Sequence, residues 1–576
     1  MKGYIIFSLK KAIGISINTK LKKEYKYTYF LTDRVIIFNL LRKEKLKVIL
    51  LQDFLNQREF NRIFLENYEK FNLSLKKMDE QSIEKINLFY NTFRYLGPRD
   101  YVGIICMTVA LKNILKKYKF KKFILFLGFR GAIFHENIYV KIFNHFCNIN
   151  KINFCIEKSE RNLRFNFLKI IYNFLSKFKI IISNFNFLKL NRLVKKYLTK
   201  IKFFKKKNSI LIIEPAFDLN YLNYQYNNTF FKDFDLGEKV FSDHVLQDFN
   251  QYNKKNTFLK IVEDHLKYNI VFNIELIRRK TNEILEFVNQ NRVKKIFWGV
   301  TPNPLLANIL DYIKNKKIKI YGTQHGGKYL IQKDDIYHKD SDYSFCDVFL
   351  AYGVSKEFKK KKFSPKTKII NIGSFKSIFL KKEIQKNKQA HLTKNLLYIP
   401  ISSSFFIKPF YGLKEINHYL RQTQICNFLN KMKSNKEYVK VISQPIKFGQ
   451  VIDELSLEHN PLNFDIASYR NLKTITGSIS NALKELSPRV IICDSLSTPV
   501  YEMMLSNSEI ILFLDPENLP KKDVMSLISK RVFLVKTIKE MRLALVKINQ
   551  RNKLKAKNEE FIKKFYLTKT EILQYK

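Results

Sequence analysis

The chain has 576 residues, of which 46% are hydrophobic and 14% aromatic, and its formal net charge is +53. This length is too great for one core and predicts two or three domains, and the apolar content excludes general disorder. The charge would suit nucleic acid or anionic lipid, but lysines occur in almost every segment, and arginine, which phosphate and base contacts prefer, is scarce beside lysine. Because Lys, Asn, Ile and Phe are over-used together, we interpret most of the charge as compositional bias and expect no nucleic-acid partner.

The six cysteines are widely spaced and form no Cys-x-x-Cys pair. This pattern is typical of buried free thiols in a reducing compartment. The apolar run at residues 3–7 is too short for a secretion signal, and no stretch of about 20 uncharged apolar residues predicts a transmembrane helix. We therefore expect a cytoplasmic protein, and peripheral contact with the inner face of the cell membrane stays open.

The first 160 residues alternate short apolar runs with helical patterns, which indicates parallel strands. Strands are predicted at residues 27–31, 47–51, 123–127 and 152–156. A helix is predicted to begin at Gly97, with Asp100 in its first turn. An acid suits a helix start, and the same carboxylate is a candidate on the acceptor side. A further candidate, Glu136, lies on the helix after the third of these strands.

Residues 161–207 alternate aromatic and aliphatic side chains with lysines. An amphipathic basic helix on an anionic membrane surface fits this pattern, and a core helix with a solvated lysine face fits it equally well. A strand at residues 209–213 and a long helical region at residues 243–291 follow. We therefore predict a helical insertion over about residues 160–290.

The most distinctive loop follows a predicted strand at residues 317–321. Paired glycines let a backbone approach a ligand closely, and ligands of open α/β sheets bind beyond the carboxyl ends of strands. The alternative is a tight turn that holds an incidental histidine. His325 is a candidate base because the unperturbed pKa of histidine lies near neutral pH. The candidate residues of this loop are Gln324, His325, Gly326, Gly327 and Lys328.

Residues 381–394 are charged and aperiodic, which is typical of a linker. Beyond them, alternating strand and helix patterns begin again. We therefore predict an α/β protein with two doubly wound Rossmann-like lobes, residues 1–380 and 395–576, and a cleft between them.

Three predicted strand ends of the second lobe carry small polar residues. The segment from Asp494 to Glu502 runs from a strand into a helix, where hydroxyl and N–H groups could bind an anion and Glu502 could bind a ribose. An N-cap followed by a capping-box glutamate would explain the same residues. Together the three ends favour a nucleotide-type ligand. The candidates are Ser402, Ser403, Gln444, Lys447, Asp494, Ser495, Ser497, Thr498 and Glu502.

The order of these motifs resembles bacterial surface-polysaccharide transferases with two Rossmann domains, the GT-B arrangement. The likeness covers roughly residues 290–520 and is greatest to surface-carbohydrate transferases with a His-Gly-Gly loop; capsule and Kdo transferases and CDP-glycerol glycerophosphotransferases are related. Gln444 stands where several of these families have a histidine, so a charged phosphate contact is in doubt there. The motifs are Gln324-His325-Gly326-Gly327, Gly373-Ser374-Phe375-Lys376, Gln444-Pro445, and Asp494 to Glu502.

The resemblance implies a glycosyltransferase with a nucleotide-activated sugar on the second lobe, a glycan or lipid-linked glycan acceptor on the first, and His325 at the cleft. Our hypothesis is an inverting transfer with His325 as the base and Asp100 and Glu136 as rival bases. No Asp-x-Asp-like pair stands in a convincing context at a predicted strand end, so we expect no metal, and we expect no cofactor. Transfer of a polyol phosphate from a CDP-alditol on the same fold is an alternative. A basic nucleic-acid-binding protein and an inactive scaffold are more remote alternatives.

Overall fold

The structure is a computed structural model. The residues that it describes are 2–6, 9–81, 87–94, 97–126, 136–157, 209–213, 229–231, 257–271, 274–299, 304–314, 318–324, 326, 331, 342–354, 367–374, 377, 380–381, 393–401, 415–432, 436–440, 462–476, 478–514, 519–550, 555–556 and 558–566.

The first 157 residues form one parallel sheet with helices around it. Its elements are β1 Lys2–Ile6, α1 Leu9–Ile17, α2 Thr19–Glu24, β2 Tyr29–Thr32, α3 Val35–Lys43, β3 Lys47–Leu50, α4 Gln57–Glu80, α5 Leu88–Phe93, α6 Gly97–Lys117, β4 Lys122–Phe126, α7 Glu136–Ile149 and β5 Asn153–Glu157. The strand order is β3-β2-β1-β4-β5, and all neighbours are parallel. The central strand, β1, coincides with the apolar run at residues 3–7. That run was predicted to be too short for a secretion signal, and no strand was predicted there.

A second parallel sheet follows in the chain. Its elements are β6 Ser209–Ile213, β7 Thr229–Phe231, α8 Phe258–Val271, α9 Ile274–Gln290, β8 Val293–Trp298, α10 Pro304–Ile313, β9 Lys319–Thr323, β10 Val348–Ala351 and β11 Lys368–Asn371. Its order is β11-β10-β9-β8-β6-β7. The interval that was predicted to be a helical insertion therefore contributes two strands, β6 and β7, besides helices α8 and α9.

The third sheet has the strand order β14-β13-β12-β15-β16-β17, which is the Rossmann order 3-2-1-4-5-6. Its elements are β12 Leu396–Ile399, α11 Glu415–Met432, β13 Glu437–Lys440, α12 Leu462–Asp465, β14 Lys473–Ile475, α13 Ile479–Leu486, β15 Val490–Cys493, α14 Thr498–Met503, β16 Glu509–Phe513, α15 Lys522–Arg531, β17 Phe533–Val535, α16 Ile538–Asn549 and α17 Glu560–Phe565.

The predicted α/β class with Rossmann-like parallel sheets is confirmed, but the described residues form three sheets where two were expected. One hydrophobic core runs from Ile5 to Val354 and contains side chains of both the first and the second sheet. The third sheet has a separate core on each of its faces. The region predicted as a single first lobe thus holds two sheets that share a core.

Helix α17 connects the third sheet to the second. The Tyr566 carbonyl accepts a hydrogen bond from the Ser374 N–H at 2.8 Å, just beyond β11. The Tyr566 ring stacks on Tyr501 of α14, with 4.8 Å between ring centroids. At Gly353, after β10, a Cβ would lie 2.6 Å from the Phe565 Cα, so this close approach requires glycine. The carboxyl ends of the second and third sheets are therefore held together through one short helix.

Gly322 lies inside strand β9 and not in the loop where the sequence pattern placed it. A Cβ at this position would lie 2.8 Å from Trp298 Cζ2 and 3.1 Å from Cys346 Sγ. Trp298 is fully buried. Gly322 thus leaves room for the indole, and a glycine here is a packing requirement of the second sheet.

Gly322→Ala is expected to lower the free energy of unfolding by about 1–3 kcal/mol, because an overpacked core side chain forces its neighbours to shift. Chemical denaturation of the intact chain measures this change. Gly14→Ala is the control, since Gly14 lies in α1 and a Cβ added there would meet no atom within 4 Å. That replacement should be neutral or stabilise the protein by up to about 1 kcal/mol. Equal effects of the two substitutions would contradict the packing role of Gly322.

Candidate functional site

The carboxyl ends of β12 and β15 form a crevice in the third sheet. The two strands are neighbours, and Ile399 is paired in register with Cys493. The helices that follow them pack on opposite faces of the sheet, because α11 contributes Ile425 to one core and α14 contributes Val500 to the other. This is the topological switch point, where open α/β sheets bind their ligands.

The buried carboxylate of Asp494 braces this crevice. Its Oδ1 accepts a hydrogen bond from the Ile401 N–H at 2.7 Å. Its Oδ2 accepts hydrogen bonds from the Tyr398 hydroxyl at 3.0 Å and from Gln422 Nε2 at 2.9 Å. Arg421 Nη1 donates to the Asp494 carbonyl at 2.9 Å. One side chain thereby joins the ends of β12 and β15 to helix α11.

Burial raises the pKa of the Asp494 carboxyl from 3.8 to about 6, and the hydrogen bonds from Gln422 and Ile401 oppose that rise. All three hydrogen bonds to the carboxyl come from protein donors, and the side chain is 1% exposed. Asp494 therefore holds the loop around it in place, and its assignment as a ligand-binding residue stays a prediction.

The segment after Asp494 provides the wall of the crevice. Ser495 is buried, Ser497 and Thr498 are half-buried, and Glu502 is 7% exposed. Helix α14 has only six residues. Since a helix dipole grows from aligned peptide units, less than two turns adds little to anion binding. The candidate ligand-binding groups of this segment are therefore its hydroxyl groups and the Glu502 carboxylate.

The capping-box explanation of Glu502 is wrong. Ser497 is the N-cap residue of α14, and its side chain makes no capping hydrogen bond. The third helical position is Val500, whereas a capping box requires Glu or Gln there. Glu502 lies two residues further along, outside the capping-box position.

Gln324 holds the loop that follows β9. Its backbone N–H donates to the Leu350 carbonyl at 3.0 Å, and its Oε1 accepts from the Tyr352 N–H at 2.8 Å. Its Nε2 donates to the Gly326 carbonyl at 2.6 Å. The side chain therefore joins Gly326 to Tyr352, and the Gln324 backbone is bound to the end of β10. Gln324 is a positioning residue for this loop.

Asp100 lies at the carboxyl edge of the first sheet, in a buried acidic group. It is fully buried in the first turn of α6, and Asp33, just after β2, is also fully buried. Burial raises the pKa of the Tyr139 hydroxyl, and the negative charges of Asp100 and Asp33 raise it further. Gln52 Nε2 donates to the Asp33 carbonyl, while Gln52 Oε1 accepts from the Ile416 N–H at 3.0 Å. This group therefore lies next to the start of α11.

Several candidates lie outside the residues or side chains that the structure describes. Glu136 begins helix α7, but its side chain is not among those described. The candidates outside the described residues are His325, Gly327, Lys328, Ser402, Ser403, Gln444 and Lys447. Gly326 is described, and its carbonyl is held by Gln324.

Three partners of Asp494 were not predicted from the sequence: Tyr398, Arg421 and Gln422. Tyr398 is one residue of an apolar strand, and the other two lie in the interior of α11. No spacing or motif distinguishes them, because their role comes only from the approach of three separate segments.

All six cysteines are free thiols, as predicted. Among the described residues, no group of three His, Cys, Asp or Glu side chains could hold a metal ion. No helix in the described part of the chain is long and apolar enough to cross a membrane.

The strand orders and the braced switch point define an α/β protein of the Rossmann class. The chain belongs to a transferase family: the model described as "LIC12162 family transferase" matches residues 107–525. The predicted transferase recognition is thereby confirmed. This match includes the loop at Gln324 and the segment from Asp494 to Glu502. A comparison with curated proteins finds no match.

Solved structures give weak likenesses. UDP-GlcNAc 2-epimerase from Neisseria meningitidis, bound to UDP-GlcNAc, has 10% identity and a TM-score of 0.34, covering 60% of this chain and 92% of that one. A glycosyltransferase from Rickettsia africae has 13% identity and a TM-score of 0.35, covering 63% and 95%. MurG from Acinetobacter baumannii has 10% identity and a TM-score of 0.30, covering 63% and 96%. Likenesses at this level carry no weight for the site.

Asp494→Asn is expected to lower the free energy of unfolding by about 2 kcal/mol or more. The NH₂ group of the asparagine would face one of the buried donors that now bond the carboxylate, and that donor would lose its acceptor. The unfolded chain releases the Asp494 proton near pH 3.8 and the folded chain near pH 6. Between these values the folded state binds more protons, so the stability that Asp494 contributes falls as pH rises through 6. The penalty for Asn should therefore be about 1.4 kcal/mol smaller at pH 7 than at pH 5.

Denaturant titrations of wild type and Asp494→Asn at both pH values measure this difference. Tyr398→Phe is the control, because it removes one donor but keeps the carboxyl, and its penalty should change less with pH. An Asn penalty that is equal at both pH values would mean that the buried carboxyl titrates in its ordinary range.

Proposed function

We propose that the protein is a glycosyltransferase that moves a sugar from a nucleotide-activated donor to a surface glycan, such as a capsule or lipopolysaccharide precursor. The observation that carries this proposal is the braced crevice at the switch point of the third sheet, inside the region that matches the transferase family. A crevice of this kind is the usual ligand site of a Rossmann sheet.

In this proposal the donor lies on residues 395–576. The hydroxyl groups of Ser495, Ser497 and Thr498 bind the phosphates, and Glu502 accepts hydrogen bonds from the ribose. Ser402, Ser403, Gln444 and Lys447, which follow neighbouring strands, complete the donor site. The position of Ser497, Thr498 and Glu502 just beyond the carboxyl end of β15, at the switch point, supports this assignment.

The acceptor lies on residues 1–380 and meets the donor in the cleft between the two lobes. The contact between Gln52 and the start of α11 supports a cleft here, because it joins the carboxyl edge of the first sheet to the third. His325 removes the proton of the acceptor hydroxyl, which attacks the anomeric carbon opposite the departing nucleotide and inverts its configuration. Lys328 offsets the charge of the leaving phosphate, and no metal is required. Asp100 and Glu136 are the alternative bases.

The proposed place of action is the inner face of the cell membrane, with peripheral attachment. The acceptor there is a glycan or a lipid-linked glycan. The excess of lysine supports attraction to an anionic surface.

A nucleotide donor should stabilise the native protein by mass action. Among CMP, CDP, UDP and GDP, we expect one nucleotide to raise the midpoint of thermal unfolding, with a gain of about 2.7 kcal/mol at a concentration 100 times its Kd. Glu502→Ala should weaken this shift, whereas Glu485→Ala, at an exposed site on α13, should leave it unchanged. No shift with any nucleotide would contradict the proposal. If a nucleotide does bind, product analysis distinguishes the glycosidic bond of a glycosyltransferase from the phosphodiester of a polyol-phosphate transferase.

His325→Ala should lower turnover at least a hundredfold, because a positioned base contributes about 10²–10⁴-fold. Gln324→Met keeps the side-chain length and removes the hydrogen bonds to Tyr352 and Gly326, so turnover should fall about tenfold with the nucleotide-induced shift intact. If Gln324 acts through His325, adding Gln324→Met to His325→Ala should have no further effect. Independent, multiplying effects would contradict the positioning role, and full activity of His325→Ala would exclude it as the base.

A further inference from the structure

The amino edge of the first sheet is strongly basic. All five strands are parallel, so their amino ends lie along one edge. Every strand begins beside at least one exposed lysine. We call this surface the amino edge and define it by Lys2, Lys26, Lys45, Lys47, Lys121 and Lys151.

Lysines outnumber acids along the amino edge in the described part of the chain. Lys2 is paired in register with Lys122, and like charges directly opposite each other in a sheet are destabilising. The acids beside this edge are Glu24 and Glu44, and Glu44 already holds Lys22 at 2.7 Å. A surface that keeps such repulsion is suited to an anionic partner.

Apolar side chains stand exposed among these lysines. Ile17, at the end of α1, is 72% exposed, and Tyr27, before β2, is 77% exposed. The Nζ atoms of Lys26 and Lys47 lie 5.6 and 5.9 Å from the centre of the Tyr27 ring. Tyrosine with a lysine beside it is typical of residues at the boundary between lipid and water.

Three strands of the third sheet, β12, β13 and β14, also begin beside or on an exposed lysine, namely Lys394, Lys436 and Lys473, but acids lie among them. At the corresponding edge of the third sheet, two strands begin on glutamates, Glu437 and Glu509. The two carboxylate oxygens of Glu509 accept hydrogen bonds from the Lys555 N–H, at 3.1 Å each. Two strands of the third sheet thus begin on an acid, whereas no strand of the first sheet does.

We propose that the amino edge docks onto an anionic phospholipid membrane, with Ile17 and Tyr27 entering the headgroup region. Exposed apolar side chains favour a bilayer over nucleic acid. This inference rests on one part of the proposed function, the peripheral attachment to the membrane, and names the surface that makes this attachment. The carboxyl edge of the first sheet then faces away from the bilayer.

The test uses a variant of the full chain that removes charge without loss of fold. Lys45 and Lys151 have positive φ angles of 58° and 54°, which Asn adopts with less strain than Lys. The edge variant therefore combines Lys45→Asn and Lys151→Asn with Lys2→Gln and Lys121→Gln. The matched control removes the same charge from exposed lysines around the third sheet: Lys394→Gln, Lys436→Gln, Lys473→Gln and Lys547→Gln.

Binding is measured by co-sedimentation with phosphatidylcholine vesicles that contain or lack phosphatidylglycerol. We expect wild type to bind only the anionic vesicles, the edge variant to bind about a hundredfold more weakly, and the control to bind like wild type. A second variant, Ile17→Ser with Tyr27→Ser, should lose the binding that remains at high salt. Unfolding midpoints equal to wild type confirm that the variants fold.

Three results would overturn the proposal: unchanged binding by the edge variant, equal losses in the edge variant and the control, or duplex DNA or RNA that displaces the protein from vesicles through these same lysines. The nucleotide-induced thermal shift is measured on the same samples. If that shift persists while vesicle binding fails, only the docking surface is wrong. If the shift is absent from wild type, the glycosyltransferase proposal fails and the docking result stands by itself.

Discussion

The candidate site depends on a buried negative charge at the place where the third sheet divides. Helices leave the two faces of a doubly wound sheet in opposite directions at the switch point, so nothing in the strand ladder itself keeps the crevice from closing or spreading. Asp494 supplies that constraint, since its oxygens receive hydrogen bonds from the end of β12 and from α11. These hydrogen bonds are internal to the protein, and the candidate serine, threonine and glutamate side chains follow in the next eight residues.

A second constraint joins this crevice to the other sheets. Tyr501 lies within the candidate segment, next to Glu502, and its ring stacks on Tyr566 and Phe561. The same cluster of buried residues includes Tyr352, whose N–H holds Gln324. The loop around position 325 and the segment from Asp494 to Glu502 are therefore attached to one hydrophobic cluster, and a shift of either would disturb the other.

Much of this architecture follows from the sequence because buried parallel strands are continuous apolar runs. The predicted strand at residues 209–213 agrees with the structure at both ends, and the helix predicted to begin at Gly97 begins there. The central strand β1 was not predicted, because a single short apolar run with no strand or helix before it shows no alternating pattern of elements. Strand β7 has three residues, too few to show any period. The role of Asp494 could not be predicted, because its donors come from segments about 70 to 95 residues away.

The position of helix α17 has a consequence for the order of folding during synthesis. The Ser374 N–H receives its partner, the Tyr566 carbonyl, only after a further 192 residues have been made. At a ribosomal rate of 5–20 residues per second this takes about 10–40 s. During that time the first two sheets can complete their shared core, while the end of β11 and the hydrophobic cluster around Tyr501 stay open to water. We expect the nascent chain to have its greatest need for chaperones in this interval.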